Sequence, residues 1–121
     1  MRELKFRVWD SQRKIMYGCR NIHWENNGAM TFQKGSGIEM DKELGDKLMQ
    51  YTGLKDKNGK EIYESDILSG DYPDEVFFDK ERGQWMVRNS QNPDDTLWEI
   101  LRDNNCEVIG NIYENKDLLN K

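Results

Sequence analysis

Apolar and polar residues alternate from the start of the chain. Leu4, Phe6 and Val8 fall on one face of residues 4–8, and that period of two predicts a β-strand. Residues 10–13, Asp-Ser-Gln-Arg, read as a turn, and residues 14–17 return as a second strand. Three later segments share one turn logic. Around Asn26-Asn27-Gly28, a three-residue loop sets Trp24 opposite Met30, Ile22 opposite Phe32 and His23 opposite Thr31. Around Lys57-Asn58-Gly59, the same loop pairs Asp56 with Lys60, Lys55 with Glu61 and Leu54 with Ile62, whereas a two-residue loop would oppose Asp56 and Glu61. Around Glu81-Arg82-Gly83, it pairs Phe78 with Met86 and Phe77 with Val87. Each loop ends on a glycine able to take the left-handed conformation of a bulged hairpin.

One helix is predicted over 41–48, where Met40, Leu44 and Leu48 recur at helical spacing and Asp41 can cap the start; Gly45 weakens it. Further strands are predicted at 66–69, 75–79, 84–88, 96–101 and 106–113, with a short turn or helix at Leu118-Leu119. In this register Trp85 and Val87 share a face with Phe77, while Val76, Phe78 and Met86 share the other. Trp98 and Ile100 likewise oppose Leu97 and Leu101. Strands apolar on both faces are either buried on both or offer one face to a partner. Burial in a curled barrel sheet is the commoner outcome. A homo-oligomer or partner interface is the alternative, and it makes Trp85 and Trp98 candidate partner-binding residues.

Composition agrees with a folded β protein. Hydrophobic residues are only 36% of the 121, but four Trp, five Tyr and four Phe supply large apolar faces. The length suits a single domain spanning 1–121, with an N-terminal β region over 1–60 and a small-barrel region over 61–121. No stretch approaches the roughly 20 apolar residues of a membrane helix, and no signal-peptide core is present, so a cytoplasmic location is expected. Cys19 and Cys106 form no CxxC pair and read as ordinary thiols, with a single disulfide as the alternative.

The net charge of −5 hides an asymmetry. Residues 1–60 carry 12 Lys and Arg against 8 Asp and Glu, and residues 61–121 carry 6 against 15. A contrast of this kind can orient a partner, although a solvated surface is the usual reason for it. Arg7, Arg13, Lys14 and Arg20 crowd the first twenty residues beside Trp9 and Tyr17, making them candidate nucleic-acid contacts. The acidic second half weighs against that reading, and basic residues also protect edge strands.

Known catalytic and metal patterns are missing. One histidine, His23, and two unclustered cysteines do not make a zinc site or a marked nucleophile pair. Aligning Gly59 with the glycine of a calcium loop puts Leu54 and Ser65 at ligand positions, so that pattern fails. Gly35-Ser36-Gly37 lacks the lysine of a phosphate loop. Asp71, Asp74, Glu75 and Asp79 are plentiful carboxylates, but no pair is singled out as acid and base. The chain is therefore expected to be no enzyme and to need no cofactor or metal.

Three segments, LKFRVWD with the following KIMY, LMQYTGLKDKNGKEIYESDI and CEVIGNIYEN, resemble the YopX family of phages and prophages. The resemblance implies a mainly β fold, an N-terminal β region followed by a small Src-homology-3-like barrel, with at most one or two short helices. The strand signals from 66 to 113 fit such a barrel independently. The family pattern often has Gly where this chain has Ser65, so a positive φ there would put strain on the serine. No activity or catalytic residue comes with the resemblance. The expectation is a phage or prophage accessory protein that binds a host or phage protein or self-associates. A nucleic-acid-associated regulator is the alternative, and no membrane role is expected. Within 50–68, Tyr51 and Tyr63 are the candidate contacts.

Overall fold

The computed structural model describes residues 4–24, 26, 30–35, 38–39, 46–103 and 105–120. The chain forms two compact units, dividing between Gln50 and Tyr51. That division falls inside a strand.

The N-terminal unit is an antiparallel meander. It contains β1 (Phe6–Asp10), β2 (Ile15–Trp24), β3 (Met30–Lys34), β4 (Ile38–Glu39) and the first half of β5 (Asp46–Lys55), ordered β4-β3-β2-β1-β5. The interior strand β1 pairs with β2 on one side and with β5 on the other. Val8 and Trp9 are both buried, so β1 is covered on both faces. Asp10 closes the β1–β2 turn: its Oδ1 accepts the Gln12 and Arg13 N–H groups at 3.0 and 2.9 Å. Trp24 opposes Met30 and His23 opposes Thr31, as the loop chemistry predicts, with a register shift between Arg20 and His23. Gly28 and the helix start at 41–45 lie outside the described residues. The rest of the predicted helix is corrected: Asp46, Lys47 and Leu48 are in β5 and pair with Asp10, Trp9 and Val8. A non-local ladder to β1 outweighs a weak helical period interrupted by Gly45.

The C-terminal unit begins with the second half of β5, which pairs with β6 (Glu61–Tyr63). A five-stranded antiparallel sheet follows, curled into a half-barrel: β7 (Asp66–Leu68), β8 (Asp74–Asp79), β9 (Gln84–Arg88), β10 (Asp95–Thr96) and β11 (Val108–Asn111), ordered β10-β9-β8-β7-β11. A short helix, α1 (Leu97–Asp103), lies between β10 and β11, and a 3-10 turn (Lys116–Asn120) closes the chain. The protein is mainly β, with small-barrel character in this unit. Its core gathers Ile62, Leu68, Val76, Val87, Leu97 and Cys106, with Leu54, Trp85, Ile100, Leu101 and Val108 packed against them.

Two predictions fail in this unit for local reasons. Residues 96–101 were expected as a strand, but all except Thr96 belong to α1. Leu97, Ile100 and Leu101 sit at i, i+3 and i+4, and Thr96 Oγ1 accepts the Glu99 N–H at 3.1 Å. Thr-Leu-Trp-Glu is therefore a helix-start pattern, and it decides the segment. The β8–β9 register is one residue away from that expected: Phe78 opposes Trp85 and Phe77 opposes Met86. The loop has four residues because Asp79 Oδ1 accepts the N–H groups of Glu81 and Arg82, and the Gly83 N–H reaches the Asp79 carbonyl at 2.7 Å. Trp85 consequently joins Val76, Phe78 and Val87 on the core-facing side, not Phe77. Phe77 shares the other face with Met86, under the Arg88 guanidinium at 4.4 Å from its ring centre.

Candidate functional site

The segments that carry the family resemblance are joined by backbone hydrogen bonds. In the 56–60 loop, Asp56 Oδ1 accepts the Asn58 and Lys60 N–H groups, each at 2.9 Å, and Oδ2 accepts the Val108 N–H of β11 at 2.9 Å. The Lys57 N–H donates to the Cys106 carbonyl, and Asn58 Nδ2 donates to Glu107. Burial by itself would raise the Asp56 carboxyl, but the N–H groups of Val108, Lys60 and Asn58, with the Lys60 charge, hold it below its usual value. Lys55 pairs with Glu61, and Gly59 has φ 80°, as the hairpin chemistry requires. Asp56 thus ties the central hairpin to a strand about fifty residues later.

The late motif is structural too. Asn111 Oδ1 accepts the Tyr113 and Glu114 N–H groups, and the Asn115 side chain packs where a Cβ on residue 110 would have to sit, so that position requires glycine. These contacts use the distinctive residues to close turns and clamp strands. They leave Asp56 and Asn111 occupied by backbone donors.

The tyrosines of the central segment behave alike. Tyr51 is buried in β5 and opposes the half-buried Tyr63 of β6, with ring centres 5.5 Å apart. By contrast, Trp85 and Trp98 line a common apolar groove of about 310 Å³. Gly53 and Leu54 of β5, Phe78 of β8 and Leu97 of α1 complete its apolar lining. Phe78 meets Trp85 edge to face at 5.1 Å. Trp98 is 55% exposed, and its indole carries the Arg102 guanidinium at 5.2 Å. Among the described residues no charged one lines this groove. Sequence reasoning named both tryptophans but missed Phe78 as their companion, because the one-residue error in the β8–β9 register put Phe78 on the opposite face from Trp85.

The basic candidates do not gather into one described cluster. Arg13 is paired with Asp10 at 3.0 Å, Lys14 is exposed in the turn with φ 61°, and Arg7 is half-buried within β1. Arg20 lies in β2, and its side chain is outside the described set.

A second concavity, of about 600 Å³, shares no lining residue with the groove. Asp71, Asp74 and Asp95 line it together with Asn89, Asn92, Val87, Ile100 and Cys106. Asn89 Oδ1 accepts the Gln91 and Asn92 N–H groups, which turns its amide so that Nδ2 donates to Asp74 Oδ1 at 2.7 Å. Burial pushes the Asp74 carboxyl up; the Asn89 hydrogen bond opposes this and the Asp95 charge adds to it. Burial also raises the Cys106 thiol, with Asp74 adding and Lys57 opposing, so this is not an activated nucleophile. Glu75 is turned instead to Arg88, and Asp79 caps its loop. Among the described residues no group of three His, Cys, Asp or Glu is arranged to hold a metal ion, and no helix is long and apolar enough to cross a membrane.

A β meander, a half-barrel and a hairpin clamped by Asp56 define the class to which the chain is compared. The YopX protein family matches residues 5–120, and the chain belongs to that family. It is similar to the crystal structure of protein EF1440 from Enterococcus faecalis, at 26% sequence identity and a TM-score of 0.73, over 98% of this chain and 99% of that one. No curated protein matches it.

Proposed function

We propose that this chain is a binding module without catalytic chemistry of its own, which holds an apolar segment of a host or phage protein in the Trp85–Trp98 groove. The observation that carries this reading is the exposed, uncharged aromatic lining, in which Trp98 and Phe78 remain accessible beside a well-packed Trp85. Large aromatic anchors in apolar recesses contribute most of the energy at protein interfaces. The distinctive motifs around Asp56 and Asn111 are spent on turns and strand clamps, which favours binding over catalysis. No observation on Arg7, Arg13, Lys14 or Arg20 favours the nucleic-acid reading in its place.

The test is a photoreactive residue at Gln84, which lines the groove, expressed in prophage-carrying or infected bacteria. The cross-linked protein is identified, purified and titrated against the native chain and Trp98→Ala. Trp98 is exposed, so its loss leaves the core intact; the expected effect is at least about tenfold weaker binding, or roughly 1.4 kcal/mol. Equal affinity of Trp98→Ala would remove the groove from the interface. Recovery of nucleic acid alone, with binding that weakens steeply with salt, would favour the regulator instead. A cross-link to a second copy, with a dimer mass by light scattering, would make the occupant this chain itself.

A further inference from the structure

The aromatic groove has one charged neighbour whose donors the fold leaves unused. Over residues 61–121 acids outnumber bases by 15 to 6, so a guanidinium there is expected to find a carboxylate. Arg82 finds Asp79 at 3.7 Å, and Arg88 finds Glu75 at 3.3 Å. Arg102 finds none: among the described residues it makes no ion pair or hydrogen bond, and its guanidinium lies over the Trp98 indole at 5.2 Å. Residues 98 and 102 are one helical turn apart on α1, so both present the same side of that helix. A cation over a ring is attracted through the ring face, and that contact needs none of the guanidinium N–H donors. The planar fork of donors is left for a carboxylate, which can accept two of them at once.

The acids that could serve as this carboxylate are engaged or placed elsewhere. Asp79 caps its own loop and pairs with Arg82. Asp95 lines the second concavity, and Glu99, one position round the helix from Trp98, is half-buried. The apolar lining beside Arg102 is open to an occupant. A Cβ built on Gly53 would meet no atom within 4 Å, so nothing closes the groove along β5. An apolar recess bordered by an unpaired cation is complementary to an apolar side chain that has an acid next to it.

We infer that the groove takes an acidic segment of its partner protein, with an aliphatic or aromatic side chain against Trp85 and Trp98 and a neighbouring Asp or Glu carboxylate on Arg102. This rests on the groove being a protein-binding site, and adds the charge of what it binds. The same guanidinium rejects a segment with Lys or Arg beside its apolar anchor, so Arg102 sets specificity as well as affinity.

Two-dimensional NMR of the full chain tests this, with the Trp98 indole N–H and the Arg102 Nε–H as reporters. The probes are three capped peptides, acetyl-Glu-Leu-Phe-Glu-amide and the same peptide with Gln or with Lys in place of both Glu. The acidic peptide is expected to bind at least about tenfold more tightly than the glutamine one, as a charge-assisted bidentate contact does, and the lysine peptide most weakly. Arg102 is exposed, and Arg102→Gln is expected to abolish the difference between the acidic and glutamine peptides while leaving the glutamine peptide nearly unaffected. Should that variant not fold, the order of the three peptides on the native chain decides the matter. Equal affinity for the acidic and glutamine peptides, with both lost in Trp98→Ala, overturns this inference and leaves the groove as a binding site. Tighter binding of the lysine peptide, or equal weakening of all three by Arg102→Gln, overturns it as well. So does the failure of every peptide to move Trp98 up to roughly 10 mM, the weak limit for a small ligand; the cross-link from Gln84 then reports separately on whether the groove holds a partner.

Discussion

Ser65 has φ 73°, in the left-handed region where a side chain is strained, and it is held there from both sides. Its N–H donates to the Val76 carbonyl at 2.9 Å, and its carbonyl accepts the Ile112 N–H at 3.0 Å. Next to it, Asp66 Oδ2 accepts the Tyr63 N–H at 2.8 Å, which tightens the turn from β6 to β7. The left-handed conformation costs a non-glycine residue about 1–2 kcal/mol, and the greater freedom of glycine when unfolded offsets part of that. Ser65→Gly is therefore expected to stabilise the chain by about 0.5–1 kcal/mol and to raise Tm by a few degrees in a thermal melt. Lowered stability would mean that the serine side chain contributes more than the strain removes. This strain was legible in the sequence through the family pattern, which often places Gly at this position. Asp74 was legible only as one acid among many. Nothing in the local sequence shows that Asn89 turns to it, or that Asp95 stands across the same cavity.

At the scale of elements, α1 and the hairpins respond to different signals. The α1 segment carries apolar residues on both alternating faces as well as at helical spacing, so periodicity over six residues does not separate the two. Its start does, because Thr96 Oγ1 engages the Glu99 N–H. Thr96→Ala is expected to cost about 1 kcal/mol in urea unfolding, while Thr96→Ser, which keeps the hydroxyl, costs a fraction of that. Equal losses in the two variants would assign the effect to the threonine methyl. Loop chemistry predicted the 57–59 turn correctly and failed by one residue at Glu81-Arg82-Gly83, where Asp79 captures two N–H groups and lengthens the loop. That single residue decides which aromatic rings share the groove, because a slip of one reverses the face of every side chain on a strand.

For the molecule as a whole, two aspartates pull the pH dependence of stability in opposite directions. Asp56 has a depressed carboxyl, so its contribution is present above the unfolded value near pH 4 and is lost as pH falls through its lower folded value. Asp74 has a raised carboxyl, so stability declines as pH rises from near 4 through its higher folded value, and the penalty stays constant above that. Urea midpoints measured from pH 3 to pH 8 are expected to show Asp74→Asn gaining more stability at pH 7 than at pH 3.5. Asp56→Ala is expected to lose roughly 2–4 kcal/mol at pH 7 and less in acid. Parallel curves for wild type and Asp74→Asn would show that Asp74 titrates normally.

The sequence by itself determined a mainly β chain, the positions of most strands, the chemistry of the Lys57-Asn58-Gly59 hairpin and membership of a family. These follow from alternation and turn residues, which act over a few neighbouring positions. Only the tertiary structure decided that residues 46–48 extend a strand, that Asp56 clamps β11, that Phe78 joins the two tryptophans and that three acids face one cavity. Each of those depends on contacts between residues far apart in the chain, and local patterns carry no record of which distant partner a side chain will meet.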